Sequence, residues 1–172
     1  MSTLQVENLI GPTSGSNANK VIIPSGQTLH AAGHVIQTIS NTVTSRQTSS
    51  STTFVATDVA ATITPKFSNS KILITICSAF STEGAGRGII CTIFRGSTNV
   101  TGSSSGMMQG LTDSSSGTRL RAGVNLSYMD NPNTTSATTY KLYFRSSNDA
   151  GAVELPPLNN LPQTIILQEV AQ

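Results

Sequence analysis

Strict alternation of apolar and polar residues is the feature that most limits what this chain can become. Thr139 to Arg145 reads TYKLYFR, which turns Tyr140, Leu142 and Phe144 to one side of an extended strand and Lys141, Tyr143 and Arg145 to the other. Phe54 to Pro65 places Val55, Val59, Ala61 and Ile63 on one face, and Gly123 to Met129 does the same with Val124, Leu126 and Tyr128. His34 to Thr44, Gly88 to Arg95 and Gln163 to Val170 are further β-branched runs. Lys71 to Phe80 (KILITICSAF) is nearly all apolar and is expected to be a strand buried on both faces. Apolar residues seldom recur at helical spacing for more than one turn. About seven strands separated by Gly, Ser, Asn, Asp and Pro clusters predict an all-β fold, an antiparallel β-sandwich or barrel.

Turn chemistry fits this picture. Glu83-Gly84-Ala85-Gly86 is expected to close a hairpin between the strands carrying Cys77 and Cys91, and Phe67 to Ser70 is a short polar link. Asp130-Asn131-Pro132-Asn133 breaks the chain after the Val124 strand. Polar loops are expected over 97–107, 112–119 and 146–162.

The first thirty-odd residues differ from the rest. A linker-like GPTSGSNAN precedes Val21-Ile22-Ile23-Pro24-Ser25-Gly26, an apolar rung followed by a turn. So short a segment cannot bury its own apolar side chains and needs a neighbour, most simply an identical chain. The expected organisation is an extended attachment and oligomerisation arm over 1–33 and a sandwich head over 34–172.

Composition removes several functions. Charged residues are 10% of the chain, against roughly 25% in an ordinary soluble domain. Net charge is +2, which offers no basic footprint for nucleic acid or an anionic membrane. No stretch reaches the roughly 18 apolar residues of a membrane span, and MSTLQVENLIG lacks the basic and apolar regions of a signal peptide, so synthesis in a reducing cytoplasm is expected. Ser and Thr together make up roughly 28% of the sequence, giving a neutral, hydroxyl-coated surface.

Catalytic chemistry is sparse. His30 and His34 are four apart; around a three-fold axis, three copies of either would hold a metal, but a hinge histidine is the favoured reading. The acids Glu7, Asp58, Glu83, Asp113, Asp130, Asp149, Glu154 and Glu169 form no short paired motif, which ranks a polysaccharide-cleaving enzyme last. The triple-serine runs at 103–105 and 114–116 are loop material rather than nucleophile elbows. Three Asn-x-Ser/Thr sequons are at chance level in so Asn-, Ser- and Thr-rich a chain. Cys77 and Cys91, equidistant from Gly84, would face each other across a hairpin; two buried thiols are favoured over a disulfide. Arg119 and Arg121 either contact an acidic sugar or phosphate or simply solvate a strand edge. With Asn131 and Asn133 they are the candidate binding residues. No cofactor is expected.

The opening MSTLQVENL, the Gly/Ser linker and VIIPSGQTLHAAGHVIQ resemble the N-terminal part of tail-fibre-like virion proteins of tailed phages, especially marine and cyanobacterial ones. SSSTTFVATDVAATITPKFSNSKILITI and IFRGSTNV are similar to the head that follows in those proteins. The resemblance implies a non-enzymatic virion protein and a homotrimer, with a head like the trimeric C1q/TNF jelly rolls. Either the Tyr140/Leu142/Phe144 face or the Val124/Leu126/Tyr128 face is then a candidate to line the three-fold axis, and each is an equally good candidate for the protomer's own core. The arm would join other virion proteins, and head loops at 97–107, 112–120, 130–137 and 147–160 would contact host-surface glycan or protein. The alternative is a trimeric capsid decoration protein, so the expected location is the virion, at tail or capsid surface.

Overall fold

The computed structural model describes residues 10–16, 18, 21–84, 86–111, 119–147 and 151–172. It divides into two compact units, Met1–His30 and Ala31–Gln172. In the first, Pro24 to Gln27 form a turn closed by the Gln27 amide on the Pro24 carbonyl (3.0 Å), with Gly26 at φ 84°. That is the type II geometry, which asks for glycine at its third position. Val21, Ile22, Ile23 and Leu29 are 40–55% exposed.

The second unit is a sandwich of two antiparallel sheets, and among the described residues there is no helix. Its strands are β1 (Val35–Val43), β2 (Gln47–Ser49), β3 (Val55–Ile63), β4 (Lys71–Glu83), β5 (Gly88–Arg95), β6 (Thr98–Asn99), β7 (Met108–Leu111), β8 (Arg119–Asp130), β9 (Thr138–Ser146), β10 (Val153–Leu155) and β11 (Gln163–Val170). The first sheet runs β1-β11-β4-β8, with β10 and β2 continuing from the far end of β4. The second runs β3-β9-β5, with β6 and β7 on the free edge of β5.

Alternation fills the space between the sheets. Ile72, Ile74 and Ile76 of β4, Val124 and Leu126 of β8, and Ile165 and Leu167 of β11 meet Val59 and Ile63, Ile89 and Ile93, and Tyr140, Leu142 and Phe144. Each large aliphatic or aromatic side chain buried there contributes about 1.5–3 kcal/mol. Phe80 crosses to the second sheet and lies on Gly110, where an added Cβ would meet its ring at 2.2 Å.

The two sheets are stitched along one side and at one end. Asn41 Nδ2 donates to the Ala60 carbonyl (2.9 Å) and Gln37 Nε2 to that of Thr64 (2.7 Å), joining β1 to β3. Gln37 Nε2 also donates to Glu169 Oε2 (2.6 Å), while Glu169 Oε1 accepts from the backbone amides of Lys66 (2.8 Å) and Phe67 (3.2 Å). The fully buried Glu169 carboxylate is thus satisfied at both oxygens. At the end, Asp130 on the first sheet accepts from Arg95 Nη1 (2.7 Å) and Tyr140 Oη (2.6 Å) on the second.

Three expectations need correction. The Gly84 connection is not a hairpin, because β4 and β5 belong to opposite sheets. Cys77 and Cys91 are therefore no cross-strand pair, and both are free. Cys91 is buried, and desolvation pushes its thiol up to about 12, but Cys77 is exposed on the outer side of β4. Nor is the expected run 71–80 of β4 buried on both faces: Ile72, Ile74, Ile76 and Phe80 are buried, while Leu73, Thr75 and Cys77 on the other side are not. Of the two readings open for the Tyr140/Leu142/Phe144 and Val124/Leu126/Tyr128 faces, the protomer's own core is the one observed, with Tyr128 packed against it.

Candidate binding surface

Extended strands present alternate residues outward, so what lies outside each sheet follows from register. On the first sheet three rows run across β1, β11, β4 and β8: Thr42, Thr164, Cys77, Asn125; then Ser40, Ile166, Thr75, Ser127; then Thr38, Gln168, Leu73, Met129. None of these residues carries a charge. The Thr42 and Thr164 hydroxyls pair at 2.9 Å.

The second sheet's outer face is different. Lys141, Tyr143 and Arg145 point outward from β9, as the alternation requires. Phe94 stacks on Tyr143 at a centroid distance of 4.0 Å and an interplanar angle of 24°, and Phe54 meets Phe94 edge-on at 5.9 Å. The Arg145 guanidinium sits 5.3 Å from the Phe54 ring centroid. It also donates to the carbonyls of Ser146 (3.1 Å) and Ser104 (3.0 Å). An open cleft of about 450 Å³ lies there, lined by Thr52, Thr53, Phe54, Asn99, Gly102, Ser104 and Arg145. Asn99 is a structural member of it. Its Oδ1 accepts from Thr92 Oγ1 (3.0 Å), Thr101 N (3.2 Å) and Thr101 Oγ1 (2.9 Å), and its Nδ2 donates to Ser103 O (2.9 Å).

Arg119 stands at a smaller cleft of about 210 Å³ with Ser81, Glu83, Arg87, Ala152 and Glu154. Its Nε donates to Glu83 Oε2 (3.0 Å), and its Nη1 lies 3.9 Å from Glu154, which also pairs with Arg46. The hydrogen bond and charge of Glu83 raise the Arg119 pKa above its already high ordinary value. Arg121 is exposed on β8, opposite Ser81. Asn131 and Asn133 sit in the turn after β8. Asn133 has φ 51°, a left-handed conformation that asparagine tolerates, and the Asn131 carbonyl accepts from Arg95 (3.3 Å). The structure does not bring Arg119, Arg121, Asn131 and Asn133 together in one cleft: they sit at opposite ends of β8.

His34 lies just before β1, its carbonyl accepting from the Ala171 amide (2.9 Å), and His30 ends the first unit. Among the described residues no three His, Cys, Asp or Glu side chains cluster as metal ligands. Asp58 accepts from Ser45 (2.7 Å), so Asp58, Glu83, Asp130, Glu154 and Glu169 are each tied to a donor or cation. Glu7, Asp113 and Asp149 lie outside the described residues, as do 112–118 of the expected second loop and its serine run. Sequence reasoning missed Phe54, Phe94, Tyr143 and Arg145 as a group. The available signal was an outward aromatic, Tyr143, in a chain with 5% aromatics.

No family model matches the sequence, and no curated protein matches it. Solved structures of infectious bursal disease virus VP2 do. The VP2 subviral particle has a TM-score of 0.42 and 14% identity, covering 93% of this chain and 46% of that one. The Gx strain structure has 0.41 and 14%, covering 89% and 43%, and the Gt strain structure 0.40 and 15%, covering 94% and 46%. The chain thus spans less than half the length of these structures.

Proposed function

We propose that this chain is a non-enzymatic structural protein of a tailed-phage virion, a short trimeric fibre whose arm anchors it and whose head attaches to the host surface. The observation that carries the reading is β4. Its run KILITIC has the composition of a strand buried on both sides, yet one side is open in the single head. Leu73, Ile166 and Met129 stand on that side among neutral hydroxyl and amide residues. These three uncharged rows meet their own copies without like-charge repulsion, with Lys71 and Arg121 facing outward only beyond their two ends. The arm's exposed Val21, Ile22, Ile23 and Leu29 supply a second apolar surface for association. The sequence resemblance to tail-fibre-like proteins supports the assignment to a virion.

Light scattering tests the trimer. The expected mass is three times 17.9 kDa. Thr75→Asp, in the middle row of the neutral face, should give monomers with unchanged far-UV circular dichroism. Cys77 should resist iodoacetamide in the wild-type trimer and react in the Thr75→Asp monomer. A monomeric wild type, or a trimer indifferent to Thr75→Asp, refutes the assembly. Antibody labelling of particles then separates fibre from decoration: label at the tail supports the proposal, and label over the capsid supports the decoration reading instead.

A further inference from the structure

The chain has five Phe and three Tyr. Phe80, Tyr140 and Phe144 are fully buried in the core, as composition demands of so aromatic-poor a sandwich. Phe54, Phe94 and Tyr143 are not: they stand half-buried, in mutual contact, on the outer face of the second sheet. A half-exposed ring beside a cleft offers its π face to the C–H face of a sugar. The cleft beside Phe54 has hydroxyls from Thr52, Thr53 and Ser104 at its rim and no acid in its lining. Its volume of about 450 Å³ lies within the roughly 300–1,000 Å³ usual for small-ligand sites.

Arg145 gives the cleft its sign. Two of the five N–H donors of its guanidinium go to the carbonyls of Ser104 and Ser146, and its central carbon sits 5.3 Å from the Phe54 ring centroid. Among the described residues three donors have no acceptor, in a group already fixed, so a carboxylate arriving there immobilises little that was free. Lys141 precedes Arg145 by four residues on the same side of β9, roughly 13 Å along the strand. Two cations in line on one face favour a polymer with repeated carboxylates over a single acid.

We infer that this cleft binds a carboxylate-bearing pyranose of an acidic surface polysaccharide, the carboxylate on Arg145 and the ring against Phe54. The inference rests on the attachment reading above and names its ligand class. Each protomer would carry one such site, so weak individual contacts would multiply in a trimer.

The probes are tri-galacturonate and its methyl ester, titrated into the full-length protein by calorimetry. Tri-galacturonate should bind at least tenfold more tightly than the ester, and 0.5 M NaCl should erase that difference. Arg145→Gln should lose the tenfold preference, Phe54→Ala should weaken both saccharides, and Arg119→Gln should change neither. Equal affinity for acid and ester, a preference that survives Arg145→Gln, or no binding at millimolar saccharide overturns the inference. The ester comparison needs no variant, so a misfolded mutant cannot decide the outcome. Bacterial cells separate this failure from failure of the attachment reading. Equal cell labelling by wild type and Arg145→Gln removes the cleft and leaves attachment standing. Normal adsorption by particles lacking the protein removes attachment itself.

Discussion

Replacing Asp130 by alanine should open the end of the sandwich, and the cost follows from the two groups it leaves behind. Tyr140 is fully buried, and its hydroxyl donates to Asp130 at 2.6 Å. Without that acceptor the hydroxyl is orphaned, at about 1–3 kcal/mol. The Arg95 side chain is 33% exposed and rehydrates, so its lost ion pair adds only about 0.5–1 kcal/mol. The sum is about 1.5–4 kcal/mol. For a head of this size, each kcal/mol moves Tm by roughly 3–4 °C, so the melt should fall by roughly 5–16 °C. Tyr140→Phe should cost less, about 1–2 kcal/mol, because Asp130 keeps Arg95. The double variant is the sharper test. With the hydroxyl already gone, Asp130→Ala has less to orphan, so the two changes together should cost at least 1 kcal/mol less than their separate costs added. Urea unfolding of the full chain measures all three. Strict additivity, or a cost below 1 kcal/mol for Asp130→Ala, would refute the idea that this bond clamps the sheets.

Alkaline pH should weaken the head in two stages. Burial raises Cys91 from 9.0 to about 12, and burial together with the bond to Asp130 raises Tyr140 well above its ordinary 10.0. The unfolded chain releases these protons first and so binds fewer than the folded one. Stability is therefore full below pH 9 and falls above it, by up to about 1.4 kcal/mol per pH unit for each group. Cys91→Ala should flatten the fall between pH 9 and 12 in denaturant titrations, and Tyr140→Phe should flatten it above pH 10. Thiol labelling of the Thr75→Asp monomer should show one fast cysteine, Cys77, with Cys91 reacting only at the rate of global opening. Gly110→Ala drives a methyl group into the Phe80 ring and should cost about 1–3 kcal/mol in the same unfolding assay.

Most of the sheet framework was legible in the sequence. β9 spans Thr138–Ser146 with Tyr140, Leu142 and Phe144 inward, and β5 and β11 have the expected bounds. Those strands alternate over enough residues for a period of two to stand out. β2, β6, β7 and β10 have two to four residues each, too few to show any period, and two of them lie inside segments expected to be plain loops. Periodicity also carries no label for the sheet a strand joins, which is why the Gly84 connection resembled a hairpin. The binding surface was harder still. Phe54 lies just before β3 and Arg145 on β9, and only the register Val55 to Phe144 brings them together. In the sequence Arg119 offers a contact for an acidic sugar or phosphate or a solvated strand edge, and nothing there points to its partner Glu83 on the neighbouring strand, 36 positions earlier in the chain.

The order of strands in space has a consequence for how the head is made. β1 is the first strand among the described residues, yet its sheet partner is β11, and the pair Val43 and Gln163 is separated by 120 positions. A ribosome adding ~5–20 residues per second needs roughly 6–24 s to cover that interval. During it β1 has no ladder, and the side of β4 that will receive β11 is an open row of amides and carbonyls beside an apolar run. Such a row is a template for any extended chain nearby, and a crowded polysome supplies identical ones. The yield of native heads should therefore depend on how well nascent chains are kept apart, and slower initiation should raise it more than a change of temperature that leaves ribosome spacing untouched.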